Sequence, residues 1–98
     1  MTPIERLKKY IFEGNLWIYA LSSLDEEKNL EKLLEIVFKQ FGVLPPRSLF
    51  NRVIGKLART GYLKSEKRMG VKYYQITDKG KQELGRAREI LQNILQNI

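Results

Sequence analysis

The 98-residue sequence is long enough for one domain with a modest hydrophobic core, and it contains neither cysteine nor histidine. Disulfides, thiolate metal sites and the usual general base of catalysis are therefore excluded, and we expect no enzymatic activity, no cofactor and no metal. The net charge is +7, and residues 44–88 carry 12 Lys/Arg side chains against 3 acids. This concentration of charge indicates an anionic partner, unless the charge serves solubility alone.

A membrane-spanning segment is not expected from the distribution of apolar residues. The longest apolar run covers residues 16–21, whereas a transmembrane helix needs about 20 such residues. No charged leader with a small-residue cleavage site precedes this run. We therefore expect an intracellular, cytoplasmic protein that forms a single domain over residues 1–98.

The first third of the chain carries the signals of two short elements. Thr2 and Glu5 have the spacing of a capping box around Pro3, so a first helix is predicted to begin there, and Gly14 weakens or ends it. The apolar run 16–21 predicts a buried helix. A strand stays possible, because periodicity does not separate the two in so short a run.

A longer amphipathic helix is predicted next. Ser23 and Glu26 have capping-box spacing, and the acids at 25–27 favour a helix N-terminus rather than a metal site, because consecutive helical residues point in different directions. Gly42 suits the position just after a helix, and the prolines that follow prevent the helix from resuming. The apolar stripe of this helix consists of Leu30, Leu33, Leu34, Val37, Phe38 and Phe41.

The helix predicted from about Pro46 to Gly61 has an apolar inner face and a basic outer face that lacks acids. Arginine and asparagine suit bidentate contacts with guanine and adenine edges in the major groove of DNA, although a solvated face could also lack acids by chance. Gly55 on this face costs about 1 kcal/mol of helix stability, and its missing side chain would let DNA or a neighbouring helix approach closely. The candidate DNA contacts here are Arg47, Ser48, Asn51, Arg52 and Lys56.

Two strand-like runs, 62–67 and 71–77, follow this helix and enclose a basic turn. Alternation places Leu63, Tyr74 and Ile76 on the core side of the resulting hairpin. A basic hairpin tip can lie along the phosphates or enter the minor groove, and lysines on edge strands also guard against aggregation. The candidate DNA contacts on the hairpin are Lys64, Lys67, Arg68 and Lys72.

Thr77 and Asp78 predict the start of a last helix, whose apolar residues step by three and four as in a coiled coil. A domain of this size has little spare core to cover the stripe, and each large side chain left in water forgoes roughly 1.5–3 kcal/mol. We expect this helix to pair with the same helix of a second copy of the chain, because pairing removes the apolar stripe from water. Packing against the chain's own N-terminal helix is the alternative, and both terminal helices could share a dimer interface. The predicted interface, within a dimerisation helix over 84–98, comprises Leu84, Ala87, Leu91, Ile94, Leu95 and Ile98.

A helix followed by a basic hairpin is the outline of a winged helix. Residues 49–80 resemble the winged-helix transcription regulators, most of all the PadR-like group and next the MarR-like proteins. The resemblance implies dimers that bind palindromic operators, with the helix after the turn in the major groove. It assigns the five helix residues named above to reading DNA, and Lys67, Arg68 and Lys72 to contacts of the wing.

The N-terminal half departs from the pattern, because it lacks the glycine-tyrosine element typical of PadR-like proteins. The matching motifs are Ile54-x-x-Leu57-x-x-x-Gly61-Tyr62-Leu63, the strand 72–77 and Thr77-x-x-Gly80.

The predicted fold is α+β and mostly α: a winged helix-turn-helix with a two-stranded wing hairpin and a C-terminal dimerisation helix. The predicted function is sequence-specific binding of double-stranded DNA by a homodimer that regulates transcription. Two alternatives stay open, a winged helix that binds proteins and a module for RNA or single-stranded DNA. The latter would use exposed aromatic side chains such as Tyr73 for stacking. The sequence neither requires nor excludes a small-molecule effector near Trp17.

Overall fold

A computed structural model describes all of residues 1–98. The elements in chain order are α1 (Pro3–Phe12), α2 (Leu16–Ser22), β1 (Lys28–Asn29), α3 (Leu30–Phe41), α4 (Arg47–Arg59), β2 (Leu63–Arg68), β3 (Val71–Ile76) and α5 (Asp78–Asn97). The three strands form one antiparallel sheet in the order β1-β3-β2. The mostly helical α+β architecture predicted from the sequence is confirmed. No helix combines the length and the apolar character that crossing a bilayer requires.

The core lies where α2, α3 and α4 meet the base of the hairpin. The ambiguous apolar run 16–21 forms α2, so its interpretation as a buried helix is correct. Phe50 and Ile54 of α4 are completely buried, as are Leu33 and Val37 of α3. These contacts fix which side of each helix faces solvent. The buried apolar residues are Leu16, Tyr19, Ala20, Leu21, Leu24, Leu33, Val37, Phe50, Ile54, Leu63, Tyr74 and Ile76.

The predicted start of the third helix at Ser23 is wrong. Asn29 caps α3 instead, because its side chain accepts a hydrogen bond from the backbone N–H of Lys32 at 2.9 Å. The chain between the helices runs beside β3, and Ile76 donates its backbone N–H to the carbonyl of Leu24 at 2.9 Å. Pairing with the free edge of β3 thus takes precedence over the local capping signal, and it adds β1 to the predicted two-stranded hairpin.

The wing is a tight hairpin whose strands are joined by two residues. Met69 and Gly70 both have positive φ, 50° and 81°, as a type I′ turn requires. Arg68, which the sequence places in the turn, is the last residue of β2 and lies opposite Val71. Met69 at the tip is fully exposed.

A compact junction joins the base of the hairpin to α5. The Thr77 side chain caps α5 by accepting from the Gly80 N–H at 3.1 Å, and it donates to the carbonyl of Gly61 at 2.6 Å. Gly80 is buried against the hairpin, where a Cβ would lie 2.3 Å from the Tyr62 carbonyl oxygen and 2.7 Å from Ile76 Cγ1. The Thr77-x-x-Gly80 motif therefore has a steric basis.

We predict that Gly80→Ala lowers the free energy of unfolding by about 1–3 kcal/mol, because the backbone of Tyr62 must move to admit the methyl group. Gly85→Ala is the matched control in the same helix, since a Cβ there meets nothing within 4 Å. It should raise the free energy of unfolding by about 0.5–1 kcal/mol through helix propensity. Urea denaturation of both variants measures the difference, and equal effects of the two substitutions would refute the steric account.

Candidate nucleic-acid interface

The outer face of α4 is basic and lacks carboxylates. Ser48, Arg52 and Arg59 are exposed and share one stripe with Gly55, because residues three and four apart lie on the same side of a helix. Asn51 flanks this stripe and is also exposed. Burial of Phe50 and Ile54 on the opposite side sets this orientation. Neither Arg52 nor Arg59 has an acidic partner within 4 Å, so their guanidinium donors are free to meet a ligand.

Gly55 leaves the middle of this face flat. A Cβ at position 55 would contact only the end of the Arg59 side chain, with Nη1 at 3.3 Å. No internal packing therefore accounts for the glycine, whereas a closely approaching external surface would.

Lys56 lies at the edge of α4, away from the middle of the basic stripe. Its side chain lines a cavity of about 420 Å³ between α4 and the N-terminal helices, next to Trp17. Lys56 thus borders the basic stripe on the side of this cavity, one turn from Arg52, whereas Asn51 borders it on the other side. The remaining lining residues are Glu13, Gly14, Leu16, Leu21, Leu49, Val53, Leu57, Thr60, Tyr62 and Glu83.

Arg47, the first residue of α4, is held by an ion pair with Glu31 in the first turn of α3. The hydrogen bond from Arg47 lowers the pKa of the Glu31 carboxyl, and the same bond raises the pKa of Arg47. Both side chains are mostly exposed. Arg47, which the sequence predicts to contact DNA, therefore already has an ionic partner within the protein.

Strand alternation divides the candidate wing residues between two faces of the hairpin. Lys67 and Lys72 lie directly opposite each other in the register, on the same face as the buried Leu63 and Tyr74. Neither lysine has an acidic partner within 4 Å. Like charges directly opposite in a sheet destabilise it, so an anion bound between these lysines would stabilise the hairpin.

Arg68 lies on the other face of the hairpin with Lys64 and is surrounded by partners. Its two terminal nitrogens donate to both carboxylate oxygens of Glu27, with Nη1–Oε2 at 3.1 Å, and Nη1 also lies 3.1 Å from Oε2 of Glu66. Its guanidinium carbon is 4.2 Å from the centre of the Tyr73 ring. The hydrogen bond from Arg68 lowers the pKa of the Glu27 carboxyl. The sequence gives no signal for the partnership of Arg68 with Glu27, because these residues are 41 positions apart.

The terminal helices carry a second, apolar surface. Of the predicted dimer residues, Leu84 packs against the core and Ala87 is half-buried, whereas every residue from Arg88 onward is exposed. Leu91, Ile94, Leu95 and Ile98 therefore have exposed side chains. α1 contributes no buried residue either, although its apolar side chains lie on one face. The chain thus does not cover α5 with its own α1. The exposed large apolar residues of α1 are Ile4, Leu7, Tyr10 and Ile11.

Solved structures with this arrangement of helices and strands include three that cover most of the chain. A PadR-family transcriptional regulator from Eggerthella lenta is 24% identical, with a TM-score of 0.76, over 96% of this chain and 86% of that one. A transcriptional regulator from Clostridium thermocellum is 16% identical, with a TM-score of 0.74, over 90% of this chain and 93% of that one. A winged-helix DNA-binding protein from STIV is 18% identical, with a TM-score of 0.64, over 96% and 94% of the two chains.

No protein-family model matches the sequence, and no curated protein matches it. The likeness to the solved structures, at 24% identity or less, concerns the fold. It confirms that this chain is a winged helix, in the arrangement that a PadR-family regulator also adopts.

Proposed function

We propose that this protein is a PadR-like transcriptional regulator that binds duplex DNA as a homodimer. The observation that carries the proposal is the outer face of α4, where Arg52 and Arg59 are unpaired, no acid intervenes, and Gly55 leaves the surface flat. Arginine and asparagine on an exposed helix match the donor and acceptor pattern of base edges in the major groove. The winged-helix neighbours, which include a DNA-binding protein and transcriptional regulators, support the same assignment.

The wing supplies a second contact in this proposal. Lys67 and Lys72 face each other across the hairpin without an acid to neutralise them. A phosphate placed between them would relieve their repulsion and gain two charge-assisted hydrogen bonds. The wing would therefore fix the orientation of the protein on the duplex, whereas α4 reads the bases.

The exposed apolar surfaces of α1 and α5 form the dimer interface in this proposal. Each large side chain left in water forgoes roughly 1.5–3 kcal/mol, so the exposed stripes favour association. A two-fold axis between two such helices would place the two α4 helices in successive major grooves, about 34–36 Å apart.

Binding of single strands is less well supported than binding of a duplex. Stacking of bases needs an accessible aromatic ring, whereas Tyr73 is half-buried and the Arg68 guanidinium lies over one face of its ring at 4.2 Å. A winged helix that binds proteins instead would need acidic or apolar residues on the outer face of α4, which has neither.

We predict that affinity for duplex DNA depends steeply on salt. With about six phosphates neutralised, log K should fall against log salt concentration with a slope of about −5, and Lys72→Ala should reduce that slope by about 1. Lys9→Ala, which removes the same charge from α1, is the control and should leave the slope unchanged. Fluorescence anisotropy over a salt series measures these slopes. A flat salt response, or preference for a single strand in competition, would contradict duplex recognition.

We predict that Gly55→Ala stabilises the fold but weakens the binding of duplex DNA. The methyl group displaces only the flexible end of Arg59, so the free energy of unfolding should rise by about 0.5–1 kcal/mol. Duplex affinity should fall nevertheless, and more so for Gly55→Leu, because the added side chain holds the helix away from the groove. Gly85→Ala, with the same gain in helix propensity, is the control for binding. Unchanged affinity in Gly55→Leu would show that DNA does not approach this residue.

We predict that Ile94→Lys converts the dimer to a monomer without unfolding the domain, because Ile94 is 53% exposed and lies outside the core. A buried, unpaired ammonium at a subunit interface is strongly unfavourable. Gln96→Lys adds the same charge on the opposite side of α5 and should stay dimeric. Sedimentation velocity distinguishes the two states. A wild-type protein that sediments as a monomer would rule out the homodimer.

A further inference from the structure

Two arginines at opposite ends of the proposed interface are held by one short acidic segment. Glu27 immediately precedes β1, and Glu31 lies in the first turn of α3. Glu27 pairs with Arg68 at the end of β2, whereas Glu31 pairs with Arg47 at the start of α4. Among the basic residues of 44–88, only these two arginines have an acidic partner within 4 Å.

The ion pair between Arg47 and Glu31 is exposed and therefore contributes little to stability. The side chains of Arg47 and Glu31 are 61% and 66% exposed, so their mutual attraction is weakened by solvent and salt. A DNA phosphate carries the same charge as the carboxylate and offers the same acceptor geometry to a guanidinium. DNA must therefore compete with Glu31 for Arg47, and the carboxylate that is displaced remains close to the phosphates and repels them.

The same ion pair must be broken on every duplex at which Arg47 makes a contact. A phosphate replaces one charge-assisted hydrogen bond by another with little gain. A guanine edge offers a bidentate contact, but its net gain is also reduced by the lost ion pair. An acid held beside a DNA-contacting arginine thus lowers the affinity for DNA in general.

We propose that Glu27 and Glu31 compete with DNA for Arg68 and Arg47 and so lower the affinity of the protein for duplex DNA. This inference rests on the proposed binding of duplex DNA. Glu31 has the larger effect, because Arg47 has no other acidic partner. Release of Arg68 from Glu27 is incomplete, since Glu66 and Tyr73 still hold its guanidinium.

A double-mutant cycle tests the pair of larger effect. Wild type, Glu31→Gln, Arg47→Gln and the double variant are titrated with a mixed-sequence duplex and with the best duplex selected from a random pool by the wild type. Glu31→Gln should tighten binding of both duplexes roughly two- to fivefold. In the Arg47→Gln background, Glu31→Gln should have a smaller effect on either duplex, because it removes only the repulsion between Glu31 and the phosphates and no arginine remains to be released.

Glu35→Gln is the matched control, since Glu35 lies one turn further along α3 and pairs with Lys32 and Lys39 rather than with an arginine of the interface. It should change non-specific affinity less than Glu31→Gln does. Thermal unfolding of each variant confirms that the exposed substitutions leave the fold intact.

Two results overturn the inference. If Glu31→Gln tightens binding equally with and without Arg47, the acid repels DNA only as a background charge. If Glu31→Gln weakens binding or leaves it unchanged, the acid does not withhold the arginine from DNA. A wild-type protein that binds neither duplex would instead refute the proposed function itself.

Discussion

The burial of one side of α4 determines what the other side can do. Phe50 and Ile54 are completely inaccessible to solvent, and a rotation of the helix would expose them at a cost of roughly 1.5–3 kcal/mol each. This packing holds Arg52, Gly55 and Arg59 outward whatever else is bound. The basic face is therefore a consequence of the core, and any partner meets a surface that is already formed.

The hairpin is fixed relative to this helix by backbone contacts rather than by charge. The Thr77 side chain links Gly61 to the start of α5, and the absence of a side chain at Gly80 lets α5 pack against the Tyr62 carbonyl. β1 adds a further restraint, because it pairs with β3 and joins the wing to α3. A wing held on both sides can present Lys67 and Lys72 in a defined position, which a free hairpin of two strands would not do.

The parts of this structure that the sequence predicts are those that depend on local patterns. Helical spacing predicts the buried side of α4 and the buried residues Leu33 and Val37 of α3, although Phe38 and Phe41 of the predicted α3 stripe are exposed. The orientation of Leu63, Tyr74 and Ile76 follows from alternation. The start of α3 was not predictable in this way, because the capping signal at Ser23 is overridden by pairing with a strand about 50 residues later. Of the candidate site, exposure was predictable for the residues of α4, but the cavity beside Lys56 and the acidic partners of Arg47 and Arg68 arise only from tertiary contacts.

Tertiary contacts also decide which of the basic side chains keep an uncompensated charge. Residues 44–88 carry 12 basic side chains, and the sequence alone does not show which of them are paired with acids. In the folded chain, Arg47 and Arg68 are neutralised by acids from the segment before α3 and its first turn, whereas Lys67 and Lys72 repel each other without compensation. An incoming polyanion therefore meets uncompensated charge at the wing lysines and along the middle of α4, and compensated charge where the two arginines are paired. Two acids of the N-terminal half, Glu27 and Glu31, thus decide which arginines of the basic surface keep an uncompensated charge.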